Sequence, residues 1–477
     1  MSEPSAGGSE AGRTTPVEAA VDQAWQEVAE RTRAVARDLW EHPELCLLER
    51  RSADVLRCWL SDEGFVVRPS RSACDTAFVA EFGKPGAPTI GVLLEYDALP
   101  AMNNVAEPRR APIGDRDQPG HGCGHNFIGA VNAGASIAAA RHLRATGEPG
   151  RIVVFGTPGE ELLFGKVAML AAGDFDDVDA LLTHHPAFEN AVLSRPCQAV
   201  VTGEISFRGA PAHTGVPVSR NALDAAELAV TMADRLRVHS FSGVSIEHVT
   251  RAPITVMPSN SPEEIRCWWY VRDVDYARAE ACWNVLVQIS RTAASFCRVH
   301  ASDVVISACR GYLPNDVLAN ELLSELAHVG SPTWTPVERD DMASYGNAFD
   351  SSVPFDLHED VVLLEDGYDR YGQDDGELSH LIPLGRFTWA FPRNIPFHSW
   401  AATAYFGTEY AWRSAQMVGR AMTRSLIRLI RSPGVVDRAK VELAERTGGT
   451  FERSLRGAWS NLPPQAERFW AGSWDPA

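Results

Sequence analysis

Five short stretches of the chain carry side chains of metal-binding or acid–base type, and each falls at an expected strand or helix end. Glu95-Tyr96-Asp97 follows the apolar run TIGVLL at 89–94. In open α/β sheets, catalytic groups collect beyond the carboxyl ends of strands, although an acidic strand–loop junction is also an ordinary solvated loop. His121-Gly122-Cys123-Gly124-His125 sets a thiol and an imidazole two residues apart. On an extended backbone both would point to one face, and the glycines would let the backbone approach an ion. Thiolate with imidazole suits zinc or manganese better than calcium; a glycine-rich turn around a buried thiol and a satisfied histidine would use the same residues.

Glu160-Glu161 follows the apolar run RIVVF at 151–155. Adjacent carboxylates repel unless a cation or a proton lies between them. One could bind metal while the other takes a proton from an activated water, or the pair could simply decorate a helix N-terminus. His184-His185-Pro186 follows ALLT at 180–183, and His398 sits where the last long helix begins. A lone histidine is more often structural than a ligand; the recurrence of such residues at element ends is what points to a shared centre.

The elements that must position these groups alternate. Helical periodicity runs over 17–41 and near 52–63, with strand-like runs at 65–68 and 77–82. The buried-strand runs at 89–94, 151–155 and 180–183 enclose an Ala-rich helix at 126–144. That alternation predicts an α/β layer fold with a largely parallel sheet. The middle reads as a compact β-α-β-α-β module: strands at 199–207, 264–272 and 301–308, helices at 221–237 and 276–295. A long helix at 401–431 carries Val418, Met422, Leu426 and Leu429 on one stripe. The expected organisation is an arm at 1–16, a main domain over 17–199 and 311–477, and a smaller α+β domain inserted at 200–310.

Composition narrows the function. At 477 residues the chain is long enough for two domains. A hydrophobic share of 45% and a charged share of 22% are those of a globular protein. The net charge of −18 argues against nucleic acid as a partner. No apolar run reaches the roughly 18 residues needed to cross a bilayer, so no membrane partner is expected. Nine scattered cysteines suit a reducing compartment, and a cytoplasmic location is expected.

The segments EYDALP (95–100), GHGCGHN (120–126), GTPGEE (156–161), His185-Pro186, RGAPAH (208–213) and PFHSW (396–400) resemble the amidohydrolase branch of the aminoacylase and carboxypeptidase metallopeptidases. Within it they look like the p-aminobenzoyl-glutamate hydrolases and the indole-acetyl-amino-acid hydrolases, in order from about His42 to the final helix. The resemblance implies Cys123, His125, Glu161, His185 and His398 as ligands of one or two divalent ions, Mn2+ or Zn2+. It implies Glu160 as general base and later proton donor, and Asp97 as the acid that orients a ligand. His213 would reach across a dimer interface to stabilise an oxyanion, which makes the inserted module a lid and dimerisation domain and the protein a homodimer or higher homo-oligomer.

The pattern departs from the family around the expected substrate pocket. Glu95 stands where the carboxypeptidase branch has a metal-binding histidine. Asn260 lies in an altered PSNSP segment, Arg393-Asn394 replaces smaller residues, GQDDGELS at 372–379 is changed, and 340–366 looks like an additional loop. The resemblance implies a small, aromatic carboxylate as substrate, with Arg393 and Asn260 as expected contacts. The expected reaction is C–N cleavage by activated water: amide hydrolysis, or hydrolytic deamination of an activated aryl amine such as 5-nitroanthranilate. The alternative of another class is a non-catalytic small-molecule-binding relative of the same fold.

Overall fold

The computed structural model describes residues 16–84, 88–213, 215, 220–252, 257–451 and 462–472. The arm expected at the N-terminus lies outside the described residues up to residue 15. The chain opens with α1 (Pro16–Glu41), α2 (Arg50–Asp62), β1 (Val66–Pro69), β2 (Phe78–Gly83) and β3 (Thr89–Leu94). Then come α3 (His125–Thr146), β4 (Arg151–Gly156), α4 (Gly165–Ala171), β5 (Ala180–Ala187), β6 (Asn190–Leu193) and β7 (Ala199–Arg208). The middle holds α5 (Ala222–His239), β8 (Ser245–Arg251), β9 (Glu264–Asp273), α6 (Tyr276–Cys297) and β10 (His300–Cys309). The remainder is α7 (Asp316–Val329), α8 (Pro336–Ala348), β11 (Val361–Leu364), α9 (Asp375–Ser379), β12 (Leu384–Ala390), α10 (Trp400–Phe406), α11 (Glu409–Arg431), α12 (Pro433–Thr447) and α13 (Ala466–Trp470).

The main sheet has the order β1-β2-β4-β3-β5-β12-β6-β11. The run β4–β3–β5–β12 is parallel, as the continuous apolar strands led one to expect. Antiparallel pairing enters at β1–β2–β4 and between β12 and β6. Helices cover both faces. Trp25 and Leu39 of α1, Ala133 of α3 and Leu426 of α11 pack on Leu182 and Phe387 on one side. Phe164, Met169, Tyr312 and Phe469 pack on Phe155, Leu181 and Leu384 on the other.

A second sheet, β10-β7-β9-β8, is antiparallel throughout and carries α5 and α6 against its apolar face. Its strands fall between Ala199 and Cys309, and we take this unit to be the inserted module. The expected β-α-β-α-β order gains a strand. β8 is an outer edge whose residues Glu247 to Thr250 are exposed, so it lacks the buried alternation that marks a strand.

Four other expectations are corrected. His184 and His185 lie inside β5, not beyond it, because the ladder with β12 continues through His185↔Thr388. The segment at 340–366 is no bare loop: Pro336 opens α8 behind the Thr335–Glu338 capping box, and β11 pairs with β6. The final long helix is two, broken at Gly407 and restarted by the Thr408 side chain, which accepts from the Ala411 N–H. Finally, Cys123 and His125 do not alternate along extended backbone: Gly124 between them has φ +83° and His125 opens α3.

Candidate metal centre and active site

The carboxyl ends of β3, β4 and β5 meet the start of α3 and the loop before α10, and the chemistry gathers there. Gly124 is obligatory at that junction: besides its positive φ, a Cβ there would stand 2.8 Å from Pro186. The tight approach brings Cys123 onto His185, with Sγ 3.4 Å from Nε2. Gly159, at φ +67°, turns the chain from β4 into the one-turn segment Glu160–Leu162. Its N–H is held by Glu49 Oε1 at 2.8 Å. His398 sits at φ +54°, an uncommon conformation for a non-glycine residue, with its N–H donating to the Gly122 carbonyl at 3.1 Å. That bond ties the PFHSW loop to the GHGCGHN loop.

Ligand-type atoms converge in overlapping groups. Cys123, His125 and His185 form one, Cys123, Glu161 and His398 a second, and Glu95, His125 and Glu160 a third; in each the atoms lie within 4.8 Å of one another. All five residues expected as ligands are therefore together, with Cys123 shared by the first two groups. His125 Nε2 lies 3.5 Å from Glu95, 3.7 Å from Glu160 and 3.9 Å from Glu161, and Glu161 Oε1 lies 3.5 Å from His398 Nε2. His125 Nε2, Glu95 Oε2, Glu160 Oε1 and Glu161 Oε1 are buried without a hydrogen-bond partner. Buried polar atoms are almost always paired. A divalent cation among the Cys123 thiolate, three imidazoles and the Glu161 carboxylate would satisfy the His125 and Glu161 atoms, so the residues fit one.

The neighbouring groups prepare the donors. The Nδ1–H of His185 donates to the Pro186 carbonyl at 2.7 Å, which leaves Nε2 as the acceptor facing Cys123. His125 Nδ1 lies 2.9 Å from Asp97 Oδ1, which leaves its Nε2 toward the cluster. Burial opposes the Asp97 charge, but His125 and two hydrogen-bond donors outweigh it and hold its carboxyl well below the usual range. Burial, then Glu95 and Glu161, push the Glu160 carboxyl well above its usual range. Burial brings His185 down to about 3.

A cavity of about 580 Å³ opens over these residues, lined by Cys123, Glu160, Glu161, His185 and His398 at one end. It is also lined by Phe188, Phe397, Tyr270 and Tyr371, by Arg195, Arg272 and Arg393, and by Glu189 and Asp369. Arg393 was expected here and is here, but Glu189 engages it at 2.7 Å. Asp369 likewise engages Arg195 at 2.6 Å. Arg272 differs: its nearest carboxylate, Glu247, stands at 3.9 Å, and its Nε is buried without a hydrogen-bond partner. Sequence reasoning missed Arg272 and Tyr270, whose hydroxyl donates to the Glu161 carbonyl at 2.6 Å. Both project from the inserted module, and the alternation of β9 between buried and half-buried residues could have flagged them.

His213 and Asn260 are not brought into this cavity. They pair with each other through backbone in the inserted module, and His213 is exposed. Lys166 and Asp374 were not anticipated. The Lys166 ammonium is fully buried, 2.8 Å from Glu95 Oε1 and 2.5 Å from Asp374 Oδ1. All nine cysteines are free. Among the described residues, no helix is long and apolar enough to cross a membrane.

Comparison with known proteins identifies a family and a shared fold. A family model described as Peptidase family M20/M25/M40 matches residues 93–362. A p-aminobenzoyl-glutamate hydrolase chain of Escherichia coli (strain K12) is 26% identical over 454 residues, covering 88% of this chain and 94% of that protein. Among solved structures, an aminobenzoyl-glutamate utilization protein from Klebsiella pneumoniae superposes with a TM-score of 0.58 at 17% identity, covering 85% of this chain and 98% of its own. A dinuclear metal-binding peptidase of the M20 family from Bacillus subtilis gives a TM-score of 0.53 at 18% identity, covering 84% and 99%.

Proposed function

The chain belongs to peptidase family M20/M25/M40 and is a metal-dependent hydrolase, and from that premise we propose that it hydrolyses the amide bond of a small aromatic carboxylate such as an aroyl-amino acid. One observation carries the reading: Glu160 Oε1, buried and without a hydrogen-bond partner, belongs to a cavity-lining carboxylate beside two ligand groups that share Cys123. Those two groups support a pair of ions, Mn2+ or Zn2+, as in the dinuclear peptidase to which the fold is similar. When bound, such ions supply Lewis acidity that lowers the pKa of water and polarises a carbonyl.

Glu160 takes the proton of the attacking water at Oε1 and returns it to the departing nitrogen. Burial and the neighbouring carboxylates raise its pKa, which favours taking up a proton. Phe188, Phe397 and Tyr371 offer flat apolar surface to an aromatic acyl group, while Arg272, held only at 3.9 Å by Glu247 and with its Nε free of a hydrogen bond, offers a guanidinium to a carboxylate. The named substrate of the Escherichia coli relative, p-aminobenzoyl-glutamate, has both features. His213, exposed in one copy, completes the oxyanion site of a second copy in a homodimer.

The test incubates purified protein and Mn2+ with p-aminobenzoyl-glutamate, a panel of aroyl-amino acids and 5-nitroanthranilate, measuring free amino acid against free ammonia. Amino-acid release from the amides supports this reading. Ammonia release from the aryl amine with inert amides replaces it with hydrolytic deamination, and silence on every substrate leaves the binding-only relative.

A further inference from the structure

Beside the proposed centre lies a buried charge arrangement that amide hydrolysis does not call for. Glu95, Glu160 and Asp374 are all buried and close together around Lys166, whose side chain is itself fully buried. Lys166 is held at both ends: its backbone N–H donates to Asp374 Oδ2 at 2.9 Å, and Nζ reaches Oδ1 of the same carboxylate and Oε1 of Glu95. Only Glu95 Oε2 is left to face His125. Carboxylates this deep need a counter-charge, and oxygen donors alone would suit a hard divalent cation such as Mn2+.

We propose that Lys166 is a positioning residue whose ammonium group stands in for an ion between Glu95 and Asp374, and so keeps Glu95 out of the metal-ligand set. The inference rests on the reading of Cys123 and its neighbours as a metal centre. It assigns the ions to the two groups that share Cys123 and gives Glu95 a different task, which is to fix Lys166 against the floor of the site. The ion number is then set by a residue that binds no ion. Burial disfavours a charged ammonium, yet Asp374 and Glu95 outweigh it and raise the Lys166 pKa.

The experiment compares wild type, Lys166→Arg, Lys166→Met and Glu95→Gln/Lys166→Met, each equilibrated with Mn2+, freed of excess and measured for ions per chain and thermal midpoint. Lys166→Met should hold about one ion more per chain than wild type, because freed carboxylate oxygens suit Mn2+. Its midpoint should rise more steeply with Mn2+. Lys166→Arg and the double variant should return to the wild-type count. A folded Lys166→Met with the wild-type count overturns the inference, as does an extra ion that persists in the double variant. If Lys166→Met folds only when Mn2+ is present, the ion has replaced the ammonium and the inference stands; if Mn2+ gives no rescue, it falls. A wild type that holds no ion refutes the metal-centre reading instead.

Discussion

Asp97 lies against His125 with Oδ1 at 2.9 Å from Nδ1, while Oδ2 of the same carboxylate accepts the Glu161 backbone N–H at 2.9 Å. One side chain thus aims two of the proposed ligands, an imidazole and a carboxylate that lie 36 positions apart in the numbering. Cys46 adds a third bond, its Sγ donating to Oδ2 at 3.2 Å. Asp97→Asn would keep the shape but replace one acceptor oxygen with an amide that cannot serve both partners. Loss of such an orienting partner typically costs about 10- to 100-fold in metal affinity. Titrating apoprotein with Mn2+ checks this, and an unchanged affinity would show that the two ligands hold their places unaided.

Neither of the two groups built on Cys123 includes Glu160, although its carboxylate lies 3.7 Å from His125 Nε2. Glu160→Gln should therefore retain its metal while turnover falls by about 10²- to 10⁴-fold, the usual contribution of a general base. Metal content measured on the same preparation separates a lost base from a lost ion. A variant as active as wild type would dismiss the assigned role.

Much of this site was legible because its groups announce themselves locally. A thiol and histidines between glycines, or two acids after an apolar strand, are unusual over a few residues. The α/β core was legible for a similar reason, since TIGVLL at β3 is buried at every position. What escaped depends on partners remote in sequence. Lys166 meets Asp374 across 208 positions, and neither stretch alone distinguishes a buried charge from a solvated one. β8 exposes most of its side chains and exists as a strand because β9 pairs with it. Arg393 illustrates the converse: it stands at the cavity wall as expected, but the charge that makes it attractive in a sequence is engaged by Glu189 in the fold.

The surroundings of the ligands give metal binding a pH dependence of definite sign. Burial opposes the charge on His125, but the Asp97 carboxylate beside it raises its pKa above 6.5. Burial, then Glu161, raises the Cys123 thiol well above 9.0. Both groups therefore carry a proton in the ion-free protein near neutrality, and a metal ion must displace it. His185, at about 3, is already neutral and releases none. Since the free state binds more protons than the loaded state, affinity rises with pH until the free-state values are passed. Calorimetry at about pH 6, 7 and 8, in buffers of different ionisation heat, should show proton release and tightening of Mn2+ binding. Affinity that does not vary over that span would contradict the proposed ligand pair.

The three arginines of the cavity should not contribute equally to substrate recognition. A guanidinium already paired at hydrogen-bond distance has to release its partner before it can serve a ligand. That holds for Arg393 with Glu189 and for Arg195 with Asp369. Arg272 has no such partner on its buried Nε. A charge-assisted hydrogen bond to a substrate carboxylate is worth about 1.5–3 kcal/mol, so Arg272→Met should raise KM for an aroyl-amino acid by about 10- to 100-fold. Arg393→Met should change KM by less than about 3-fold, the effect of a half-exposed ion pair. A neutral analogue with the carboxylate amidated isolates the contact, because only wild type has the interaction to lose. If Arg393→Met weakens binding of the acid and Arg272→Met does not, substrate must be displacing Glu189, and Arg393 is the recognising guanidinium.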